Sequence, residues 1–446
     1  MSNLPLIIFL ICFVLMFVLR MPIPTGMIAA CTMYFLVDGL VKGCSFIGMI
    51  TGAEGQLHLV AQKSIEAVFT NTTIIAVPLF IFAANVMNAG KITEYVFGVC
   101  KGLVGRFAGG LAHVNVLASL VFSGMTGSAV ADASGLGKME IDAMRAEGYD
   151  DGFSCAITAA SATIGPIFPP SIPLIIYGSV ASVSVDKLFM GGVVPGVLMG
   201  ALLMIMILGF AIVRRYERHP FHFVKLIRQT LYSIPAIITP LIILAGFVGG
   251  WFTPTEASSI AVIYSLLIAL LVYRTLDLKS FLKCLKDSAI SSANTLFIIG
   301  TSTLFTYVMA MEGISRQFSG FILGISDNPA VVLLVINVLL LVLGMIMEPG
   351  AILTLMLPVL LPIAQGLNLD LVHFGVMIVL NLMIGQVTPP FGVCLFVISD
   401  VNKIKLEKLY KSILPFLIPL ILTLLIVTYF PPVVTWLPNV LLTAGA

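Results

Sequence analysis

Long apolar runs, separated by short polar or glycine- and proline-rich segments, dominate the pattern along the chain. Runs such as Leu4–Leu19, Ala257–Val272 and Ile413–Tyr429 are about as long as a helix that crosses a bilayer. The pattern predicts ten membrane crossings, five in each half, at about 4–19, 23–40, 71–90, 152–185 and 190–212 and at about 231–250, 256–273, 290–311, 372–399 and 412–430. We therefore predict an all-α polytopic membrane protein.

The run at about 152–185 is interrupted in its middle by the proline-rich stretch Ile164–Tyr177. Each proline removes a backbone donor and clashes with the preceding turn, so one continuous helix cannot hold all four of them. The prolines are Pro166, Pro169, Pro170 and Pro173. A break at bilayer depth frees backbone N–H and C=O groups, which are tolerated only inside protein or beside a watery cavity, where they can bind a solute or ion.

A second break of the same kind occurs in the second half, within the run at about 372–399. Four residues of the first break recur there with their spacing unchanged: Ile164, Gly165, Pro169 and Pro170 return as Ile384, Gly385, Pro389 and Pro390. We call the displacement from Ile164 to Ile384, which all four pairs share, the repeat offset. The chain therefore contains a repeated broken helix.

Between the third and fourth crossings of each half lies an apolar segment that we interpret as a re-entrant hairpin. The first, at about 109–148, turns at the glycine-rich tip 123–128, and the second, at about 329–365, turns at 344–350. Gly124 and Gly344 are again separated by the repeat offset.

The charge pattern supports this arrangement, because positively charged residues gather on the cytoplasmic side of membrane proteins. If both hairpins turn back and both broken helices cross, 19 of the 23 Lys and Arg residues share one side with the loop at 213–230. A hairpin that crossed fully would invert the sides beyond it and remove this bias. The side with the loop is therefore predicted to be cytoplasmic, and both termini are predicted to face the exterior.

An odd number of crossings per half gives the two halves opposite orientations in the bilayer. The predicted organisation is a first inverted repeat at residues 1–212, a cytoplasmic connector at 213–230 and a second inverted repeat at 231–446. The two hairpins then enter from opposite sides, and their tips meet near the midplane. A mildly amphipathic segment at about 57–70 is predicted to lie along the exterior interface.

Composition agrees with a membrane protein and excludes several other classes. Hydrophobic residues make up 59% of the chain and charged residues 10%, against roughly a quarter charged in soluble proteins. The net charge of +2 and the lack of a basic stripe give no sign of nucleic-acid binding. The seven cysteines are scattered without a CxxC pair, so packed free thiols are expected rather than a disulfide or metal framework. No HExxH or GxSxG motif is present, so no enzyme is expected.

The tips and breaks together favour an ion site, because hard cations take oxygen ligands and unwound carbonyls supply them for sodium. In the first half, Ser123, Thr126 and Ser128 of the tip would face the carbonyls of Gly165–Pro170. In the second half, Ile346 and Glu348 would face Gly385–Pro390, where Thr388 adds a hydroxyl group. The alternative is that these small residues only allow helices to approach closely.

Helix N-termini at the tips and breaks carry partial positive charge, which favours an acidic organic solute between them. Asp132 and Arg316 are candidate solute contacts because ionisable groups at bilayer depth are functional candidates. Asp132 could instead bond within its hairpin, and Arg316 could be an exterior loop charge. Ser171 and Ser184 could donate hydroxyl groups to the solute, or could serve helix packing.

At these motifs the chain resembles the large membrane subunit of TRAP (tripartite ATP-independent periplasmic) transporters. The resemblance extends over almost the whole length and rests on Pro78–Ile81 with Met87 and Gly90, on Phe122–Gly137, Gly165–Gly178, Gly250–Ala257 and Gly385–Pro390. The hairpin tips are also similar to those of the wider ion-transporter group that includes dicarboxylate/sodium symporters.

The resemblance implies an ion-transporter-like elevator fold in the bacterial inner membrane and sodium-driven import of an organic acid, with no further cofactor. It implies two partners besides the lipid bilayer: a periplasmic substrate-binding protein that delivers the solute, and a small four-helix membrane subunit, expected on another chain. It places one sodium site on Thr126, Ser128, Gly165, Phe168 and Pro170 and the other on Gly344, Met347, Gly385, Thr388 and Pro390.

The identity of the solute stays open at this point. Members of the family carry sialic acids, C4-dicarboxylates and other carboxylates, and no single residue here decides among them. A sodium/dicarboxylate symporter that needs no binding protein is an alternative. An ion channel is a weaker alternative, because channels gather their filter around an axis between subunits, whereas inverted repeats within one chain favour alternating access.

Overall fold

The computed structural model describes residues 4–19, 21–126, 129–214, 223–324, 326 and 328–442. All regular structure in these ranges is helical, as predicted. The first half contains α1 Leu4–Val18, α2 Ile23–Val41, α3 Phe46–Thr51, α4 Leu59–Thr70, α5 Ala76–Ala89, α6 Ile92–Val104, α7 Gly110–Thr126, α8 Ala129–Ser134, α9 Leu136–Ala146, α10 Asp151–Ala162, α11 Ile172–Ala181 and α12 Val185–Arg214.

The second half contains ten further α-helices within the described ranges: α13 Phe223–Val248, α14 Pro254–Leu267, α15 Leu278–Met311, α16 Ile314–Leu323, α17 Pro329–Ile346, α18 Pro349–Gly366, α19 Leu371–Gly385, α20 Val393–Asn402, α21 Leu406–Tyr429 and α22 Pro432–Leu442. A 3₁₀ turn at Thr72–Ile75 precedes α5, and a π-helical turn at Ile268–Val272 extends α14.

Nine helical segments in the described part are long and apolar enough to cross a membrane. They are Ile23–Val41, Thr72–Ala89, Val185–Arg214, Gln229–Phe247, Pro254–Val272, Leu278–Met311, Pro329–Ile346, Pro349–Gly366 and Leu406–Tyr429. Two of the nine, α17 and α18, are the arms that the sequence predicts to turn back as the second hairpin. The halves of the broken helices are shorter, since each contains only 10 to 15 residues.

The two proline-rich stretches interrupt their helices where the sequence predicts. The first break separates α10 from α11, and the second separates α19 from α20. The second hairpin turns between Ile346 and Pro349, inside the predicted tip. The first hairpin is more divided, because α7 is followed by the short α8 and then by α9.

Helix boundaries recur along the chain at nearly the repeat offset. Shifted by this offset, the bounds of α7, α10 and α11 fall close to those of α17, α19 and α20. The segment from α4 to α5 maps in the same way onto the single helix α15, whereas in the first half Asn71 and the 3₁₀ turn divide it. The inverted orientation of the two halves stays a prediction.

Polar side chains fix the starts of the helices around the breaks. Asp150 accepts a hydrogen bond from the Phe153 N–H at the start of α10, and Asp370 accepts from Val372 and His373 at the start of α19. A carboxylate at a helix N-terminus satisfies backbone donors that have no partner within the helix. Both broken helices therefore begin at a fixed residue before they are interrupted.

Among the described residues, the buried core forms three clusters. The largest joins α7, α10, α12, α17, α19 and α21, and it surrounds both breaks. A second joins α5 and α6 to α7 and α13. The third joins α1 and α2 to α15, with the Phe9 and Phe305 rings 5.0 Å apart. The breaks are thus held in one packed unit, while the later part of α15 is anchored against α1 and α2 in another.

Candidate functional site

The first break is a fully buried segment that one serine closes. Ser171 accepts a hydrogen bond from the Leu174 N–H at 3.2 Å, as the N-cap of α11, and its hydroxyl donates to the Pro166 carbonyl. Gly165, Phe168 and Pro170, the carbonyl donors predicted for the first ion site, lie within this buried segment. The Ser171 hydroxyl is therefore used inside the break.

The second break is closed by a different set of bonds. The Thr388 hydroxyl donates to the Ile384 carbonyl at 2.7 Å, and the Cys394 N–H donates to the Gln386 carbonyl at 3.1 Å. From outside the break, the Tyr410 hydroxyl donates to the Pro390 carbonyl at 2.6 Å. Thr388 and Pro390, predicted for the second ion site, therefore lie in a defined loop, whereas Gly344 lies in α17 and Gly385 is the last residue of α19.

The second hairpin tip touches the second break through two glycines. A Cβ atom on Gly385 would lie 2.8 Å from the backbone Cα and carbonyl carbon of Gly344. Only hydrogen atoms on both residues permit this approach of α17 to α19. Gly344 is thereby brought to the break, and the second ion site itself stays a prediction.

The first hairpin lies against the first broken helix along α7 and α10. The Asn115 carboxamide donates to the Thr158 hydroxyl at 2.7 Å and accepts from the Ser161 hydroxyl at 2.5 Å, and all three side chains are buried. Beyond this network, Ser128 and the side chains of Ser123 and Thr126 lie outside the described part of the structure.

A cavity of about 440 Å³ lies between the two breaks. This volume is within the range of small-molecule binding sites in proteins. Its lining comes from α5, α8 and α15, from the first break with α11, from the second tip with α18, and from the second break with α20. The lining residues are Ile81, Ala84, Asn85, Asn88, Ala129, Val130, Pro166, Ile172, Pro173, Ile176, Ser291, Asn294, Thr295, Ile298, Glu348, Pro349, Gly350, Met383, Gln386 and Val393.

The electrostatic character of this cavity comes from helix ends and neutral polar side chains. The first residues of α11, α18 and α20 line it, so three helix N-termini direct partial positive charge toward it. Among the lining residues, Glu348 is the single ionisable side chain, and neither Lys nor Arg is present. The cavity can therefore hold an anion through backbone dipoles and hydrogen bonds.

Three of the solute contacts suggested by the sequence, Asp132, Ser184 and Arg316, do not line this cavity. Asp132 is a buried residue of α8, and Arg316 is exposed on α16; neither lines the cavity. Ser184 accepts a hydrogen bond from the Lys187 N–H at 3.4 Å and lines a second pocket of about 370 Å³, beyond the far end of α11. Asn71 and Ser179, joined by a hydrogen bond of 2.7 Å, also line that pocket.

Sequence reasoning missed the polar residues that line the cavity from α5 and α15: Asn85, Asn88, Ser291, Asn294 and Thr295. The signal was available, since carboxamide and hydroxyl residues at helical spacing inside apolar runs indicate a polar stripe. The described residues also contain no group of three or more His, Cys, Asp or Glu side chains placed to hold a metal ion.

Comparison with known families gives a match that covers most of the chain. The model of the DctM component of the tripartite ATP-independent periplasmic transporters matches residues 10–433. The fold is similar to that of the YdaH transporter of Alcanivorax borkumensis, with a TM-score of 0.60 and 12% sequence identity over 81% of this chain and 86% of the other.

Two curated relatives are similar in sequence over most of this chain. The sialic acid TRAP transporter permease protein SiaT of Haemophilus influenzae is 45% identical over 83% of this chain, which spans 60% of that protein's length. The sialic acid TRAP transporter large permease protein SiaM of Vibrio cholerae is 41% identical over 89% of this chain and 93% of its own.

Proposed function

We propose a function from the premise that this chain belongs to the DctM component family of tripartite ATP-independent periplasmic transporters, whose model matches residues 10–433. The chain is a large permease component of such a transporter. We infer that it imports an organic acid, delivered by a periplasmic binding protein, across the bacterial inner membrane, with both termini periplasmic. The names of the two relatives favour a sialic acid as the solute.

The observation that carries this proposal is the cavity between the two broken helices. It is large enough for a sugar acid, and three helix N-termini provide the partial positive charge that a carboxylate needs. Because helix ends are fixed by the fold, the anion would be held without a buried Lys or Arg. No other pocket described here combines contact to both breaks with this electrostatic character.

Sodium coupling is the second part of the proposal. The first ion would be held by carbonyls of Gly165, Phe168 and Pro170 with hydroxyls of the first tip, and the second by the tip Gly344–Glu348 with Gly385, Thr388 and Pro390. Breaks lined by carbonyls give the oxygen ligands that sodium prefers. The contact between Gly344 and Gly385 supports the second site, because it brings tip and break together.

An elevator movement is the mechanism that we propose for the transfer. The cavity lies between α5 and α15 on one side and the two breaks, α8 and the second tip on the other, so a relative movement would carry the solute past a fixed wall. The amphipathic helices α6 and α16 directly precede the two hairpins and would act as the connecting arms. A small four-helix membrane subunit on another chain would complete the transporter.

The test is uptake of radiolabelled N-acetylneuraminate into proteoliposomes that contain the chain together with its small subunit. Uptake is expected only with an inward sodium gradient and added binding protein. Uptake that is unchanged when the sodium gradient is replaced by potassium would contradict the coupling. Uptake without any binding protein would favour the independent symporter.

The same preparation examines the first ion site. Ser128→Ala is expected to raise the sodium concentration for half-maximal uptake, because it removes one hydroxyl ligand. Thr303→Val serves as the control, since the Thr303 hydroxyl bonds only to the Ile299 carbonyl of its own helix at 3.1 Å. Sodium activation that is equal in both variants would remove Ser128 from the site.

A further inference from the structure

The cavity has one wall whose chemistry differs from the rest, and we call it the amide wall. It consists of the polar residues that α5 and α15 contribute, which are Asn85, Asn88, Ser291, Asn294 and Thr295. The facing side is formed largely by prolines, aliphatic side chains and helix ends. Neutral groups that both donate and accept hydrogen bonds are therefore concentrated on one side of the site.

The spacing of these residues produces a continuous polar stripe on each helix. Asn85 and Asn88 are three positions apart on α5, and Ser291, Asn294 and Thr295 follow at three and four positions on α15. Residues at these separations lie on one face of a helix. Because polar side chains are costly at bilayer depth, a stripe of this kind indicates contact with a polar occupant or with water.

Most of the amide wall keeps its hydrogen-bonding capacity available. The Asn85 carboxamide donates to the Ser288 hydroxyl at 2.7 Å, which holds Asn85 against α15. The side chains of Asn88, Ser291 and Asn294 are exposed and make no hydrogen bond within the described part of the chain. These three groups therefore face the cavity with free donors and acceptors.

The repeat of the fold does not explain the wall. At the repeat offset, Asn85 and Asn88 correspond to Phe305 and Val308, and Asn294 and Thr295 correspond to Ile74 and Ile75. A packing role in the repeated helices would call for similar residues at both positions. Four of the five residues are therefore polar only where they border this cavity, and the exception is Ser291, which corresponds to Asn71.

Glu348 adds a condition on the charge of the occupant. Its carboxyl group lines the same cavity, where no Lys or Arg is available to neutralise a second negative charge. A second carboxylate on the solute would find no Lys or Arg among the lining residues, while hydroxyl or acetamido groups would find partners on the amide wall.

We propose that the amide wall is the specificity-determining surface of the site, which selects a monocarboxylate with several neutral hydroxyl or amide groups and rejects dicarboxylates. This inference rests on the proposed function, because it assumes that the cavity holds the transported acid. In this proposal, α5 and α15 select the solute, and the breaks and tips would move past these two helices during transport.

Calorimetric binding to the purified complex of the chain and its small subunit, in saturating sodium, tests the inference with N-acetylneuraminate and succinate as probes. Asn88→Leu and Asn294→Leu keep the side-chain size and remove the polar groups. Each is expected to weaken N-acetylneuraminate binding about five- to tenfold, the usual loss for one hydrogen bond. Succinate binding to the unaltered protein is expected to be weaker than that of N-acetylneuraminate.

The controls distinguish loss of a contact to the solute from a folding defect. Thr303→Val, on the same helix but outside the cavity, should bind as the unaltered protein does, and Asn294→Gln should recover part of the affinity because it restores the carboxamide. If a leucine variant does not fold, Asn88→Ser and Asn294→Ser replace it, with a smaller loss expected.

The two proposals fail in different ways. If the unaltered transporter takes up N-acetylneuraminate with sodium but the leucine variants bind it as tightly, or succinate binds equally well, the amide wall is overturned and the proposed function stands. If the unaltered transporter takes up no N-acetylneuraminate under any gradient, the proposed function fails first.

Discussion

Buried carboxamides hold the first arm of each hairpin against a broken helix. In the second half, the Asn381 carboxamide donates to both the carbonyl oxygen and the side-chain oxygen of Asn337, each at 2.9 Å. Asn337 in turn donates to the Thr428 hydroxyl at 2.9 Å. In the first half, Asn115 and Ser161 join α7 to α10, and Ser161 corresponds to Asn381 at the repeat offset.

Asn381→Leu removes both hydrogen bonds to Asn337 and leaves buried acceptors without a donor. The expected loss of stability is about 1–3 kcal/mol, the cost of a buried polar group whose partner has been removed. Thermal unfolding of the detergent-solubilised transporter measures it, with Thr303→Val as the control that breaks only a bond within its own helix. Equal midpoints for both variants would contradict a structural role for the Asn381–Asn337 pair.

At the scale of single residues, the sequence predicted backbone features better than side-chain partners. Prolines at positions 166, 169, 170 and 173 break a helix for local reasons, so their effect could be read from the sequence. Whether the Ser171 hydroxyl faces a solute or the Pro166 carbonyl depends on how the break folds. Asn88 and Asn294 were not predicted as site residues because their roles depend on contact between helices that are distant in the sequence.

Elements around the second break depend on one close contact, between α17 and α19. Gly385→Ala would place a Cβ atom 2.8 Å from the Gly344 backbone, which cannot yield as a flexible side chain would. We expect a loss of about 1–3 kcal/mol from overpacking, together with weaker sodium activation of uptake. Gly320→Ala on α16, where a Cβ meets no atom within 4 Å, is the matched control and should be neutral or slightly stabilising.

The midpoint of thermal unfolding and the sodium dependence of uptake distinguish the possible results of the Gly385→Ala substitution. Loss of stability with unchanged sodium activation would show that the glycine contact stabilises the fold but does not contribute to the ion site. A Gly385→Ala variant as stable as Gly320→Ala would show that α17 and α19 can separate without cost.

Among whole elements, the sequence predicted the long apolar helices from their hydrophobicity and both breaks from the positions of the prolines. Helices α6 and α16 were not predicted, because they alternate apolar and polar faces over only 13 and 10 residues and form no long apolar run. The start of α15 was placed near 290 rather than at Leu278, since its first turns carry Lys279, Lys283 and Lys286. Amphipathic or charged helices of this kind are fixed by packing against other elements.

For the whole molecule, the sequence predicted that each tip faces the break of its own half, but it did not predict the other contacts between the two halves. The repeat offset relates the two breaks, whereas the structure also brings α8 against α20 and α11 against α18. These pairings join the first half to the second, and no local pattern encodes them. The cavity is a product of these non-local contacts, so spacing indicates the polar stripes but not the cavity that they line.

A cross-link between α11 and the 3₁₀ turn before α5 tests the movement of the whole molecule. Asn71, at the start of the 3₁₀ turn before α5, donates to the Ser179 hydroxyl of α11 at 2.7 Å. If α11 moves past α5 during transport, joining Asn71→Cys to Ser179→Cys with a short thiol cross-linker should abolish uptake, and reductive cleavage should restore it. The control joins Asp150→Cys to Lys408→Cys, whose native side chains pair at 2.9 Å within the packed unit that contains α10 and α21. Continued uptake with the first pair fully cross-linked would exclude a rigid movement between these helices, whereas loss in both pairs would point to general damage by the reagent.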